Sequence, residues 1–166
     1  MQTLRLRVMR SADLPAVTEL NAGAAPAVNL MAEDEMRALF EMCDVALVAT
    51  NHDRAITAFL LSLGTGQAYT SENYRFFEDR GVRHQYIDRI VVAPSAKGTG
   101  VGRALYESVF ERARERGASE VTTEVQLDPP NPGSVTFHER LGFQRVAQQR
   151  TRGGAVLVAL LARGVY

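Results

Sequence analysis

The chain predicts one α/β domain, a mixed sheet carrying helices on both faces. Two observations predict it. Short β-prone runs alternate with longer runs of helical period along the whole chain. The stretch from Tyr86 to Arg116, YIDRIVVAPSAKGTGVGRALYESVFERARER, then joins a β-prone run, a proline turn, a glycine-rich loop and an amphipathic helix. The β-prone run that follows, Val121 to Leu127, is separated from the first by that helix, so the two strands are expected to run parallel. At 166 residues the chain is long enough for one well-cored domain and too short for two, so residues 1–166 are read as a single domain.

Composition narrows the function classes. Nineteen basic residues balance nineteen acidic ones and no Lys/Arg block occurs, which argues against a nucleic-acid partner. The single Cys43 excludes an internal disulfide and a cysteine-cluster metal site, so no metal is expected and a reducing compartment fits. No apolar run is long enough to span a bilayer, and Met1 to Arg7 alternates where a signal peptide would be continuously apolar. A cytoplasmic protein without a membrane partner is the expectation.

In chain order, Leu4, Leu6 and Val8 alternate with Arg5 and Arg7, which predicts a half-buried first strand. Ser11 is read as the N-cap of a helix with Asp13 in its first turn and Leu14, Val17 and Leu20 on one face. Asn21 to Asn29, with Gly23 and Pro26, breaks that helix before a second one over Glu33 to Met42, whose Met36, like Met31 before it, reads as packing. Ala46 to Thr50 and Ile56 to Leu63 are two strands joined by the polar turn Asn51 to Arg54, where His52 is a solvated turn residue. Gly64 to Arg83 reads as a long irregular loop, interleaving Tyr69, Tyr74, Phe76 and Phe77 with polar residues. Either its rings border a substrate pocket, with Tyr74 and Phe77 as substrate-binding candidates, or they anchor the loop to the core.

The strand from Tyr86 to Val92 places Tyr86, Asp88, Ile90 and Val92 on one face and Ile87, Arg89 and Val91 on the other. Asp88 and Arg89 need partners or a cleft, since an unpaired buried charge is costly; ion pairing across the sheet and into a helix would satisfy them. The helix from about Gly100 to Arg116 turns Val101, Ala104, Leu105, Ser108, Val109 and Ala113 inward, and Gly117 closes it. The strand from Val121 to Leu127 sets Thr122, Glu124 and Gln126 opposite its apolar face. Asp128-Pro129-Pro130 is a stiff exit, and Asn131 caps a short helix with Pro132 at its first position. Gly142 ends that helix, and Phe143 to Val146 and Ala155 to Leu161 close the sheet.

The loop between strand and helix is a natural anion site. Gly98, Gly100 and Gly102 leave their amides uncovered by a Cβ, and the helix N-terminus adds unpaired N–H groups and partial positive charge. A P-loop would require Gly, four residues and Gly-Lys-Ser/Thr, a string the chain lacks. The dinucleotide fingerprint matches Gly98 and Gly100 but demands glycine where Arg103 stands. Lys97-Gly98-Thr99-Gly100-Val101-Gly102 instead resembles the Arg/Gln-x-x-Gly-x-Gly/Ala loop of the GNAT superfamily of N-acetyltransferases, with lysine at its first position. Asn131 to Phe143, NPGSVTFHERLGF, resembles the second signature of that superfamily, with Phe137-His138 where many relatives have Phe-Tyr. The longer strings YIDRIVVAP and EVQLDPPNPGSVTFHERLGF resemble a bacterial subgroup of acetyltransferases without a named substrate.

The resemblance implies a GNAT fold whose sheet splays between its fourth and fifth strands around acetyl-CoA. By the same resemblance Lys97, Gly98, Thr99, Gly100, Val101, Gly102 and Arg103 hold the pyrophosphate, Ile90, Val91 and Val92 meet the pantetheine arm through their backbone, and Asn131, Ser134 and Phe137 contact the cofactor. The implied reaction is acetyl transfer to a primary amine by direct attack in a ternary complex. It needs an oxyanion donor, for which the backbone of Val91 or Val92 is the candidate, and a base, for which Asp88 and Glu124 are the candidates, with Tyr86 on the Asp88 face as a further alternative and as a substrate-binding residue. His138 is the candidate proton donor to the thiolate, or a satisfied structural histidine. The competing class is a non-catalytic acyl-CoA-binding module of the same fold. The acceptor, a small molecule or a peptide amine, is not specified, and an exposed closing strand could pair with a second copy.

Overall fold

The computed structural model describes residues 4–166, so Met1 to Thr3 of the predicted alternating start lie outside the described residues. The chain divides into two compact units, one running to Leu63 and resuming over Arg89–Val109, the other comprising Gly64–Asp88 and Phe110–Tyr166.

The first unit carries β1 (Arg5–Val8), β2 (Val45–Thr50) and β3 (Ile56–Leu63), each antiparallel to the next. The predicted alternation in β1 fails at its end, because Val8 is exposed while Met9, one residue past the strand, is buried. β1 is an edge strand, and the Met9 amide donates to Ala46 O at 2.9 Å, which turns that side chain into the core. Ser11 is not the helix N-cap. Ser11–Asp13 is a single 3-10 turn, and α1 (Leu14–Gly23) begins behind Asp13. The reason is electrostatic: the Asp13 carboxylate accepts the Arg10 amide at 2.7 Å and both Arg7 guanidinium nitrogens at 2.7 and 2.9 Å. Pro15 then sits in the first turn of α1, where its missing N–H costs nothing. α2 (Glu33–Met42) has the predicted bounds, and Met36 is fully buried with Leu14, Val17, Leu39 and Phe59. Cys43 falls just past α2 instead of within it, its thiol directed at Leu39 O at 3.2 Å.

Two elements are shared by the units: β4 (His84–Val92) and α4 (Val101–Glu115). The inward stripe of α4 is wider than predicted, since Tyr106 and Phe110 are buried beside Leu105, Val109 and Ala113. Gly117, with φ +75°, ends the helix as expected, and the Ala118 amide reaches back to Ala113 O at 2.9 Å.

The second unit adds α3 (Glu72–Asp79), β5 (Glu120–Asp128), α5 (Pro132–Arg140), β6 (Gln144–Thr151) and β7 (Val156–Gly164). Strand order is β1-β2-β3-β4-β5-β7-β6. β4 and β5 are parallel as predicted, paired from His84↔Glu120 to Tyr86↔Thr122, and β7 lies antiparallel to both β5 and β6. The supposed irregular loop contains α3, which is a correction. Ser71 Oγ accepts the Tyr74 amide at 3.3 Å, Glu72 stands in the first turn, and Tyr74 and Phe77, three apart, form the buried face. β6 and β7 are longer than the predicted closing strands because β6 keeps pairing with β7 through its polar residues as far as Thr151↔Val156.

Candidate active site

In the first unit, β4 ends with alternating exposure: Arg89 and Val91 are buried while Ile90 and Val92 are half-buried. The Arg89 guanidinium is tied to Asn29 Oδ1 at 2.9 Å and Asn21 Oδ1 at 3.1 Å, fixing the segment after α1. The Ala93 amide bonds Thr57 O at 2.8 Å, and Pro94–Ala96 make one 3-10 turn into the glycine loop. Lys97, Gly98, Thr99 and Gly100 are all exposed.

Gly98 and Gly100 have φ of +76° and +83°, a left-handed backbone that L side chains rarely adopt. A Cβ at either position would meet no atom within 4 Å, so the loop backbone faces open space. Thr99 folds its hydroxyl and amide back onto Ala96 O, which stiffens the turn. The first helical bond at this end runs from the Ala104 amide to Gly100 O at 3.0 Å, leaving the amides of Val101, Gly102 and Arg103 ahead of the ladder. Positive φ, open space and the N-terminal amides of a long helix together fit a pyrophosphate. The Arg103 side chain is engaged elsewhere, with Nε on Glu107 Oε1 at 2.9 Å along the exposed face. Only its backbone serves the loop in this arrangement.

The second unit gathers side chains that are far apart in sequence. Tyr86 is fully buried, and its hydroxyl donates to Glu124 Oε2 at 2.7 Å. Burial foremost, then the charges of Glu124 and Asp88, push the Tyr86 phenol well above its usual range, so it remains a proton-bearing donor. The hydroxyl of Tyr69 donates to Asp88 Oδ1. Asp88 and Glu124 are both half-buried. The structure thus places the two predicted bases around one buried phenol, each bound by a tyrosine.

Tyr74 and Phe77 are each 1% exposed. Their rings pack on Tyr86 at 5.4 and 6.0 Å and on His84 at 5.7 and 6.0 Å, which is the anchoring arrangement. Sequence reasoning missed His84, whose Nδ1 and Nε2 contact Thr122 Oγ1 at 3.0 Å and Glu78 Oε1 at 2.8 Å inside the core. The signal was present: His84, Tyr86 and Asp88 share one face of β4 by period two. The Glu78 carboxyl is held below the usual range; burial opposes ionisation, and the Gly66 amide and His84 outweigh it.

On α5, Asn131 caps as predicted, its Oδ1 accepting the Ser134 amide at 3.4 Å, with Pro132 in the first turn. His138 is buried and its Nδ1 donates to Ser134 O at 2.7 Å. Its ring stands edge-on to Phe137 and Phe143 at 5.3 and 5.5 Å. Burial lowers its pKa against the opposing carbonyl bond, so the ring is neutral at neutral pH. Among the described residues, no group of three or more His, Cys, Asp or Glu is placed to hold a metal. No helix among them is long and apolar enough to cross a membrane.

Residues 32–143 match the model of the acetyltransferase (GNAT) family. N-alpha-acetyltransferase 30 of Schizosaccharomyces pombe is 26% identical over 102 residues, covering 61% of this chain and 59% of that protein. Aminoglycoside N(6')-acetyltransferase type 1 of Klebsiella aerogenes is 38% identical over 65 residues, 39% of this chain and 41% of its own. An uncharacterized N-acetyltransferase of Methanocaldococcus jannaschii is 38% identical over 58 residues, which are 35% of this chain and 25% of that protein. These matches therefore span less than two thirds of each relative's length. Among solved structures, the ribosomal-protein-S18-alanine N-acetyltransferase of Escherichia coli superposes with a TM-score of 0.75 at 19% identity, covering 98% of this chain and 94% of that one. The yncA protein of Salmonella typhimurium, solved with its cofactor acetyl-CoA, gives 0.72 at 20% identity with the same coverage. The fold is theirs, the family model covers more than half of the residues, and the chain belongs to the acetyltransferase (GNAT) family.

Proposed function

We propose that the chain is an acetyl-CoA-dependent N-acetyltransferase that acts on a primary amine by direct attack in a ternary complex. The observation that carries this reading is the loop from Lys97 to Gly102, where two left-handed glycines open onto free space ahead of the α4 N-terminus. When bound, acetyl-CoA supplies the acetyl group activated as a thioester. The amides of Gly98, Gly100, Val101, Gly102 and Arg103 would hold its pyrophosphate, and the backbone N–H of Val91 or Val92 would donate to the thioester oxygen. Glu124 takes one proton of the ammonium acceptor, leaving a nitrogen lone pair for attack, and the second proton that this nitrogen sheds as the amide forms would go to the leaving sulfur. Glu124 is preferred because a buried, neutral phenol fixes it through one oxygen. Asp88, held by Tyr69, is the second carboxylate of the same cluster and the alternative base. Tyr74 and Phe77 support this cluster by packing on the Tyr86 ring, and no step is assigned to His138.

Two of the relatives act, by their names, on N-alpha amines and on aminoglycoside amines, which supports an amine acceptor of either kind. The competing reading is a non-catalytic module that only binds the acyl-CoA. A phenol-bound, half-buried carboxylate favours the enzyme, because it meets the needs of proton transfer and contributes nothing to holding a pyrophosphate. Calorimetric titration with acetyl-CoA followed by thiol release on a panel of peptide and small-molecule amines tests both. Binding with turnover is the expected result. Binding without turnover on any amine would favour the module, and absence of binding would overturn the reading.

A further inference from the structure

The segment between β3 and α3 is irregular, yet it is fastened at Gly64, Gly66 and Gln67. The Gly66 amide bonds Glu78 Oε2 at 3.0 Å, the Gln67 amide bonds the Tyr74 hydroxyl at 3.0 Å, and that hydroxyl donates to Gly64 O at 2.7 Å. Glu78 is anchored in turn by the buried His84 ring. Such a set of bonds fixes a backbone that has no secondary structure of its own, against the conformational entropy it would otherwise keep. Tyr69 is what this rigid segment presents: its ring rests on Tyr74 at 5.6 Å and its hydroxyl ends on Asp88 Oδ1. A tightly held loop delivering one donor to one carboxylate is the arrangement of a positioning group, since a phenol stays protonated and can orient a carboxylate without exchanging a proton with it.

We infer that Tyr69 is a positioning residue for Asp88, setting the carboxylate's orientation toward the amine acceptor. The inference rests on the acetyltransferase reading of the site and deepens it: the acceptor's ammonium is oriented by Asp88 while Glu124 takes its proton. Two phenol–carboxylate pairs thereby divide the work, Tyr86 with Glu124 from within the core and Tyr69 with Asp88 from the loop.

The test is a double-mutant cycle on Tyr69→Phe and Asp88→Asn, read as kcat and amine KM, together with the side-chain 13C resonance of Asp88 in the free protein. Tyr69→Phe keeps the ring on Tyr74 and removes only the donor. Its expected effect is a loss of roughly 10-fold in kcat/KM for the amine, with unchanged acetyl-CoA affinity and melting temperature. In the Asp88→Asn background the same substitution is expected to have no further effect, because a neutral amide leaves no carboxylate charge for Tyr69 to orient toward the ammonium. The Asp88 resonance should move in Tyr69→Phe and stay in place in Tyr86→Phe. An equal loss in both backgrounds, or an unmoved Asp88 resonance, would overturn the role of Tyr69 and leave the acetyltransferase reading standing. A wild-type protein that binds acetyl-CoA but turns over no amine would sink the acetyltransferase reading itself, whatever the resonance does.

Discussion

The glycine loop and the tyrosine–carboxylate cluster are made of opposite materials. In the loop, the proposed recognition belongs to the backbone: the amides of Gly98 and Gly100, which no Cβ covers, and those at the start of α4. In the cluster it belongs to side-chain oxygens on Tyr69, Tyr86, Asp88 and Glu124, each fixed by a specific partner. A backbone site tolerates exchange of nearby side chains and fails when a glycine gains one. A side-chain cluster tolerates small backbone adjustments and fails when a single hydroxyl or carboxylate is lost. The loop is the general part of the proposed enzyme and the cluster is the particular part.

Four substitutions probe this contrast. The largest effect is expected from Gly100→Glu, which places an L side chain at φ +83° and a negative charge where the pyrophosphate would sit. Acetyl-CoA affinity measured by calorimetry should fall by more than about 100-fold, equivalent to about 2.8 kcal/mol. The fold should survive, because nothing lies within 4 Å of the added Cβ. Retained affinity would remove the loop from the cofactor site. Next comes Glu124→Gln, which leaves the loop untouched: kcat should drop by roughly 10²–10⁴-fold, the usual worth of a general base, at unchanged acetyl-CoA affinity. If kcat holds in Glu124→Gln and collapses in Asp88→Asn, Asp88 is the base and Glu124 the orienting carboxylate.

The smallest effect on rate is expected from His138→Gln. With Nδ1 committed to Ser134 O and its pKa lowered by burial, the ring has no proton to give at neutral pH, so kcat should be unchanged at pH 6 and 8. Its signature should appear in stability instead. The folded-state pKa lies below the ordinary value of 6.5, so the unfolded chain binds the proton more readily. The contribution of His138 is therefore complete above pH 6.5 and is lost as pH falls through 6.5 toward the depressed folded value. Melting temperature followed from pH 7.5 to 5.5 should decline in the wild type and decline less in His138→Gln. An identical decline in both would show that His138 does not titrate as its burial implies.

Legibility in the sequence followed the range of the interaction responsible. α2 and β3 have the predicted bounds, since periodicity and flanking breakers are local signals. Asn131 was readable as a cap because Pro132 and Ser134 stand within three residues of it. α3 was missed although Ser71, Glu72 and the Tyr74/Phe77 spacing announce it, because dense aromatics interleaved with polar residues mask the period of a helix of only eight residues. The misplaced N-cap has another cause: Asp13 takes the Arg7 side chain from the preceding strand, a partner that local capping rules do not consider.

By itself the sequence determined the strand–loop–helix unit, its glycine-rich loop and each of the two family signatures, all of which depend on residues a few positions apart. Which acid meets which phenol was decided only in the tertiary structure. Tyr86 and Glu124 stand 38 positions apart and meet because the parallel register sets Tyr86 opposite Thr122, two residues before Glu124. Tyr69 reaches Asp88 from a loop that Tyr74 and Glu78 fasten at Gln67 and Gly66, just before it. Glycine stereochemistry is a property of one residue, whereas a hydrogen bond between distant side chains exists only once strand register and loop path have been fixed.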